Sequence, residues 1–197
     1  MIILGLTGSI GMGKTTAARM LKQMGCAVFD SDAYVHQALS SEGQAFEAVA
    51  LTFPKAWDKK KHLIDRKKLG EIVFEDALER EKLENILHPL VRHAQTQFIR
   101  KQKRMGRKFV VLDIPLLFET GAQNRVDYTI VVSAPDFVQR SRVLSRPNMK
   151  KEKFKQILQT QMPDNQKCAL ADFVVPTGLG KAHSYGVLKN ILSELSE

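Results

Sequence analysis

Cysteine is scarce in this chain: only Cys26 and Cys168 occur among 197 residues. Two thiols are too few for a disulfide scaffold and do not form a zinc-binding pattern. Both read as small core residues in a reduced, cytoplasmic setting. Long apolar runs are missing too. None approaches the roughly 20 residues that cross a bilayer, so no membrane partner is expected. The opening Met1–Thr7 stretch is apolar, but it has no basic segment before it and soon reaches glycine. It reads as a buried strand rather than a signal peptide. Internal repeats and low-complexity linkers are absent. Aromatic residues make up 7% of the chain, and no RNA-binding aromatic signature occurs among them. No Asn-Lys-x-Asp guanine-reading motif occurs either, which removes the support for a GTPase switch.

What is present is the composition of a globular protein, 44% hydrophobic and 26% charged. Thirty basic residues outnumber 21 acidic ones, for a net charge of +9. Such an excess suits an anionic partner, either nucleic acid or a polyphosphorylated small molecule. With no nucleic-acid recognition motif to support the first, the second is favoured and no nucleic acid is expected. The run Arg100-Lys101-Gln102-Lys103-Arg104, with Arg107 and Lys108, falls at an expected helix end, where cations complement the macrodipole.

Apolar, β-branched runs alternate with helical periodicity. Strands are expected at 2–7, 26–29, 109–113, 128–132 and 173–175. The first helix should run from Lys14 to about Met24 and stop at Gly25, with Ala17, Ala18, Leu21 and Met24 facing inward. This alternation predicts an α/β fold with a five-stranded parallel sheet covered by helices on both faces. The interval 31–104 breaks the rhythm. It reads as helices over 31–39, 42–51, 66–74 and 77–103, with no clear strand, and suggests an inserted helical subdomain. Pro89 should cap or kink the last of these at His88. A basic segment, 140–164, is expected to act as a lid.

Between the first strand and helix stands Gly8-Ser9-Ile10-Gly11-Met12-Gly13-Lys14-Thr15, a match to G-x-x-x-x-G-K-[ST]. Glycines let the backbone curl so that several N–H groups point at phosphate oxygens, and the helix start adds its positive end. Gly8 through Thr15, together with Thr16, are therefore expected to bind a nucleoside triphosphate. Lys14 should reach the β- and γ-phosphates, and the Thr15 hydroxyl should ligate Mg²⁺. The motif leaves the phosphoryl acceptor open.

Asp30-Ser31-Asp32 follows the second strand, and ligands of open parallel sheets gather beyond the carboxyl ends of the strands. Asp32 is the candidate to orient an acceptor hydroxyl and take its proton. Asp30 would hold the turn or a metal-bound water; the structural alternative is that Ser31 or Asp32 caps the next helix. Phe109-Val110-Val111-Leu112-Asp113 is an apolar strand ending in an acid, which makes Asp113 a second Mg²⁺ candidate. The segment after it, Ile114-Pro115-Leu116-Leu117-Phe118-Glu119, is unusually apolar for a loop. It reads either as the wall of a substrate site or as core packing. Arg142 and Arg146, four apart on an expected helix, are candidates to meet the charge of a transferring phosphoryl group. His88 before Pro89 reads as a cap, and Trp57, Met149 and Met162 as packing residues.

Taken together, these segments resemble the dephospho-CoA kinase family. The resemblance runs from Leu4 to about Val175. It includes Leu6–Thr15, Asp30-Ser31-Asp32, Ile64–Gly70, His88-Pro89-Leu90-Val91-Arg92, Asp113–Glu119, Arg142–Arg146 and Gln161-Met162-Pro163. It implies a P-loop kinase fold in three parts. A nucleotide-binding core would comprise 1–30, 105–139 and 165–197, a helical CoA-binding domain 31–104, and a lid 140–164. It further implies ATP and Mg²⁺ as cofactors, and transfer of the γ-phosphoryl group to the ribose 3′-hydroxyl of dephospho-CoA. Asp32 matches the family's proposed catalytic aspartate and Arg142 its lid arginine, with Arg146 also toward the nucleotide. The CoA side would include Arg66, His88, Pro115, Leu116, Leu117, Phe118 and Glu119. A monomer or weak homo-oligomer is expected.

Two stretches depart from the family pattern. Arg146-Pro147-Asn148 stands where Arg-Asp-Gly is usual, at the lid hinge. Asp172-Phe173-Val174-Val175-Pro176-Thr177-Gly178 stands where Asp-x-Val-Ile-x-Asn-x-Gly is usual, beside the adenine base. The rival readings are another small-molecule kinase, acting on a nucleoside or nucleotide, and a nucleic-acid-binding module.

Overall fold

A computed structural model describes residues 1–147 and 149–196; Asn148, in the expected lid hinge, lies outside the described residues. The chain forms two compact units. One is Met1–Phe29 with Gln102–Glu197, and the other is Asp30–Lys101.

The first unit is built on a parallel sheet. Its strands are β1 (Ile2–Thr7), β2 (Ala27–Asp30), β5 (Phe109–Asp113), β6 (Tyr128–Ser133) and β7 (Phe173–Pro176), in the order β2-β5-β1-β6-β7. The central strands are mostly apolar because helices cover both faces. Leu4, Leu6, Val110, Val111, Leu112, Ile130, Val131 and Val132 are all fully buried. Helices α1 (Lys14–Gln23) and α9 (Lys181–Glu194) supply Ala17, Ala18, Met20, Leu21, Leu188 and Ile191 to one core. Met20 joins the inward face expected for α1, and Met24 packs half-buried at its C-cap. A smaller core gathers Leu117, Phe118, Ala122 and Val131. The pairing register matters for function. Leu6 lies opposite Asp113, so the end of β5 stands beside the strand that leads into the glycine loop.

Helix α6 (Asp136–Leu144) is shorter than the sequence suggested. Ser145 caps it, and Arg146 lies past its end, so Arg142 and Arg146 do not share a helical face. Helices α7 (Lys151–Gln159) and α8 (Asp164–Leu170) follow.

The second unit carries α2 (Ser31–Ala38), α3 (Phe46–Thr52), α4 (Arg66–Glu75) and most of α5 (Ala77–Arg104) around its own core of Phe46, Val49, Phe53, Ile64, Leu69 and Leu87. Three details differ from the sequence-based expectation. First, α3 starts at Phe46 rather than Glu42. The chain turns back on α2 instead, with the Ala45 N–H donating to the Ala38 carbonyl. A side chain on Gly43 would stand 2.2 Å from that same carbonyl oxygen, so glycine is needed for the approach. Second, a two-residue hairpin, β3 (Trp57–Asp58) with β4 (Leu63–Ile64), sits in a stretch expected to hold no strand. Third, Pro89 does not cap a helix at His88, because α5 runs through it. Packing of Leu83, Ile86, Leu87 and Leu90 against the unit's core outweighs the one backbone bond that proline removes. Among the described residues, no helix is long and apolar enough to cross a membrane.

Both cysteines are free. Burial pushes the Cys26 thiol up to about 11. Only the thiolate is reactive, so a raised value keeps this group inert in mildly alkaline solution. Iodoacetamide at about pH 8.5 is expected to leave Cys26 unlabelled in the native protein and to label it in denaturant. Peptide mass spectrometry checks this.

Candidate active site

The glycine loop joins β1 to α1 through a backbone that only glycine accommodates. Gly11 has φ 79°, and a Cβ there would lie 2.5 Å from Val143 Cγ2 and 3.1 Å from the Gln139 carbonyl. At Gly8 the limit is space, since a Cβ would lie 2.5 Å from Val132 Cγ2. Gly13 caps α1 in the left-handed region, with no side chain bonded to the helix start and no acid in the first turn. The first N–H groups of a helix have no partner within the helix. Here they are left as an uncapped, electropositive cradle.

Lys14 Nζ pairs with Asp113 Oδ1 at 2.5 Å. Both side chains are largely shielded, at 16% and 6% exposure, so the attraction is little screened. The β1–β5 register makes this contact possible. The two residues expected to meet triphosphate and Mg²⁺ are thus brought together at one strand end, and Thr15 follows Lys14 at the exposed helix start. A hydroxyl and a carboxylate are the hard oxygen donors that Mg²⁺ takes alongside substrate phosphates. Among the described residues no cluster of three or more His, Cys, Asp or Glu could hold a metal without such help.

Arg142 reaches the same loop from α6. Its guanidinium donates to the Thr177 carbonyl at 2.7 Å and hydroxyl at 3.0 Å, and more weakly to the Gly11 carbonyl at 3.4 Å. The Thr177 hydroxyl donates in turn to the Met12 carbonyl at 2.7 Å. Thr177 is buried, and it stands at the asparagine position of the family pattern. This departure therefore has a definite task, which is to brace the glycine loop from β7. Ile10 is held on both backbone groups: its N–H donates to Gln161 Oε1 at 3.0 Å, and its carbonyl accepts from Gln139 Nε2 at 2.8 Å. A cleft of about 760 Å³ opens beside the loop, lined by Ser9, Ser133, Gln139, Arg140, Met162 and Asp164.

The 114–119 segment divides between the two readings of it. Leu117 and Phe118 are buried in the smaller core, which favours the packing reading for these two. The Glu119 carboxylate is already engaged, accepting from Lys167 Nζ at 2.8 Å and from the Met162 N–H at 2.9 Å. Pro115 and Leu116 remain half-exposed.

In the second unit, Asp30 is the cap of α2, its carboxylate accepting from the Ala33 N–H at 2.9 Å. Asp32 is thereby spared that duty and is exposed in the first turn. Arg66 Nη1 donates to His36 Nδ1 at 2.7 Å, and His88 is half-buried along α5.

Sequence reasoning did not single out Gln139 or Lys167, and it noted Thr177 only as part of a departure from the family pattern, not as a brace for the loop. Nothing local marks them: a threonine after a strand and a glutamine or lysine on a helix are ordinary until the chain is folded. Gln161 was visible only as part of a family motif.

The family model for dephospho-CoA kinase matches residues 2–179. A dephospho-CoA kinase from Agrobacterium fabrum is 47% identical over 195 residues, covering 99% of this chain and 98% of the relative. Among solved structures, a crystal structure from Thermus thermophilus is 34% identical with a TM-score of 0.85, covering 98% of this chain and 97% of that one. A dephospho-CoA kinase from Campylobacter jejuni is 26% identical with a TM-score of 0.64, over 98% and 96%.

Gly11→Ala, which must fit a Cβ against Val143 in a left-handed backbone, is expected to weaken nucleotide binding at least tenfold. The fold should survive, since the cost of roughly 1–3 kcal/mol is local. Calorimetric titration with ATP, alongside circular dichroism, checks both parts.

Proposed function

The chain belongs to the dephospho-CoA kinase family, and from that premise we propose that it transfers the γ-phosphoryl group of ATP to the ribose 3′-hydroxyl of dephospho-CoA, yielding CoA and ADP, the final step of coenzyme A biosynthesis. The observation that carries this reading is the uncapped start of α1, with Lys14 held against Asp113 at the end of β5.

Phosphoryl transfer asks a protein mainly for positioning and charge neutralisation. The loop amides from Gly8 to Thr15 and the Thr16 region would hold the triphosphate. Lys14 would exchange Asp113 for the β- and γ-phosphates. Thr15 and Asp113 would then hold Mg²⁺, whose role is to neutralise developing charge on the phosphate oxygens. Asp32 would orient the acceptor hydroxyl and take its proton. Its exposed carboxylate, relieved of capping by Asp30, supports this role. Arg142 has guanidinium donors beyond those used on Thr177, and with Arg146 it would meet the transferring group as segment 140–164 closes as a lid. The helical segment 31–104 would bind the CoA portion, using Arg66 and His88 there and Pro115 and Leu116 from the core. The reading is of a cytoplasmic enzyme, monomeric or weakly associating, and its two free cysteines accord with a reduced setting.

Lys14→Ala and Asp32→Asn are expected to lower turnover by about 10²–10⁴-fold with the fold intact. A coupled ADP-release assay, run with dephospho-CoA and with a nucleoside as alternative acceptor, decides the matter. Near-normal rates in either variant would reject its role. A preference for the nucleoside would reject the acceptor.

A further inference from the structure

Lys167 is the largest fully buried side chain among the described residues, with 0% exposure. A buried ammonium is costly unless paired, and an apolar pair of similar size would often be at least as stable. Stability alone therefore does not account for it, and its contacts point elsewhere.

Lys167 Nζ, on α8, donates to Glu119 Oε1 at 2.8 Å, and the Pro115 carbonyl lies at 3.5 Å. The same Glu119 oxygen accepts from the Met162 N–H at 2.9 Å. The residue before Met162 is Gln161, whose side chain takes the Ile10 N–H of the glycine loop at 3.0 Å. A second branch runs through Pro115. Its carbonyl also accepts from the hydroxyl of Thr7 at 2.9 Å, the residue that precedes Gly8. Two residues before Pro115 stands Asp113, the partner of Lys14. From this one ion pair, then, hydrogen bonds joined by one or two residues of chain reach the entrance of the phosphate loop, its middle, and the strand end that faces its lysine.

We propose that Lys167 and Glu119 are positioning residues for phosphoryl transfer, an ion pair anchored by a fully buried lysine that sets segment 161–162 and through it the backbone of the glycine loop at Ile10. Neither touches nucleotide or acceptor. Their contribution is to keep the loop donors aimed, and small displacements of such donors are costly to rate. The turnover part of this inference rests on the kinase reading above; its structural part does not.

Three variants test it. Lys167→Met alone leaves the partly exposed Glu119 carboxylate without its cation and should lower Tm by roughly 5 °C. Lys167→Met with Glu119→Leu removes both charges and should regain most of that stability. It should still lose kcat by about tenfold or more, with KM for dephospho-CoA changed less than about twofold. Its amide exchange should also quicken in peptides covering 8–12 and 160–163. Lys167→Met with Glu119→Gln keeps an acceptor for the Met162 N–H and should recover most of the turnover and the slow exchange. Wild-type exchange at 8–12 in the Glu119→Leu double variant overturns the proposal, as does an equal loss of turnover in the Glu119→Gln double variant. If the wild-type protein consumed no ATP with dephospho-CoA, the acceptor assignment would fall, and the exchange comparison would still decide this one.

Discussion

The structure depends on one concentration of positive potential: backbone N–H groups at the start of α1, turned outward by Gly13 in the left-handed region and left without a side-chain cap. Most helices satisfy their first amides with a serine, threonine or aspartate. Doing so here would fill the space that an anion needs. The surrounding elements act to hold this cradle open. Val132 and Val143 pack where glycine side chains would be, Thr177 ties down Met12, and Arg142 ties Gly11 to β7.

Buried charge follows the same logic. The protein carries +9 overall, yet Asp113 and Lys167 are buried side chains of the 113–119 and α8 neighbourhood, and Lys14 is mostly shielded beside them. Away from this region charged side chains stay at the surface, where ion pairs such as Lys82 with Glu79 add little. Burial raises the strength of a Coulomb interaction and the cost of leaving it unmade. Ionic contacts under the phosphate loop are therefore stiff in a way that surface pairs are not.

Legibility from the sequence followed the locality of each signal. The glycine motif, the five core strands and α1 were plain because each is a short-range pattern, backed in the three central strands by burial on both faces. The β3–β4 hairpin was not, since two-residue strands have no period to read. The start of α3 shifted because a tertiary contact, Ala45 to Ala38, claimed the turn before it. Pro89 was read as a cap or a kink at His88, and it does not cap, since one lost backbone bond is minor against a packed helical face. In the 114–119 segment, apolar character could not tell a substrate wall from a core. Burial of Leu117 and Phe118 favours the core.

The order of residues alone determined the chemistry available. It set a phosphate-binding loop, a lysine and threonine at a helix start, an acid at a strand end, and the family pattern that names an acceptor. Such features are covalently adjacent, so spacing preserves them. Tertiary structure decided which distant groups support them. Strand register set Asp113 against Lys14, and helix packing delivered Arg142 to Thr177 and Lys167 to Glu119. Those partners are separated by tens of residues along the chain, and no local pattern records a contact that exists only after the core has closed.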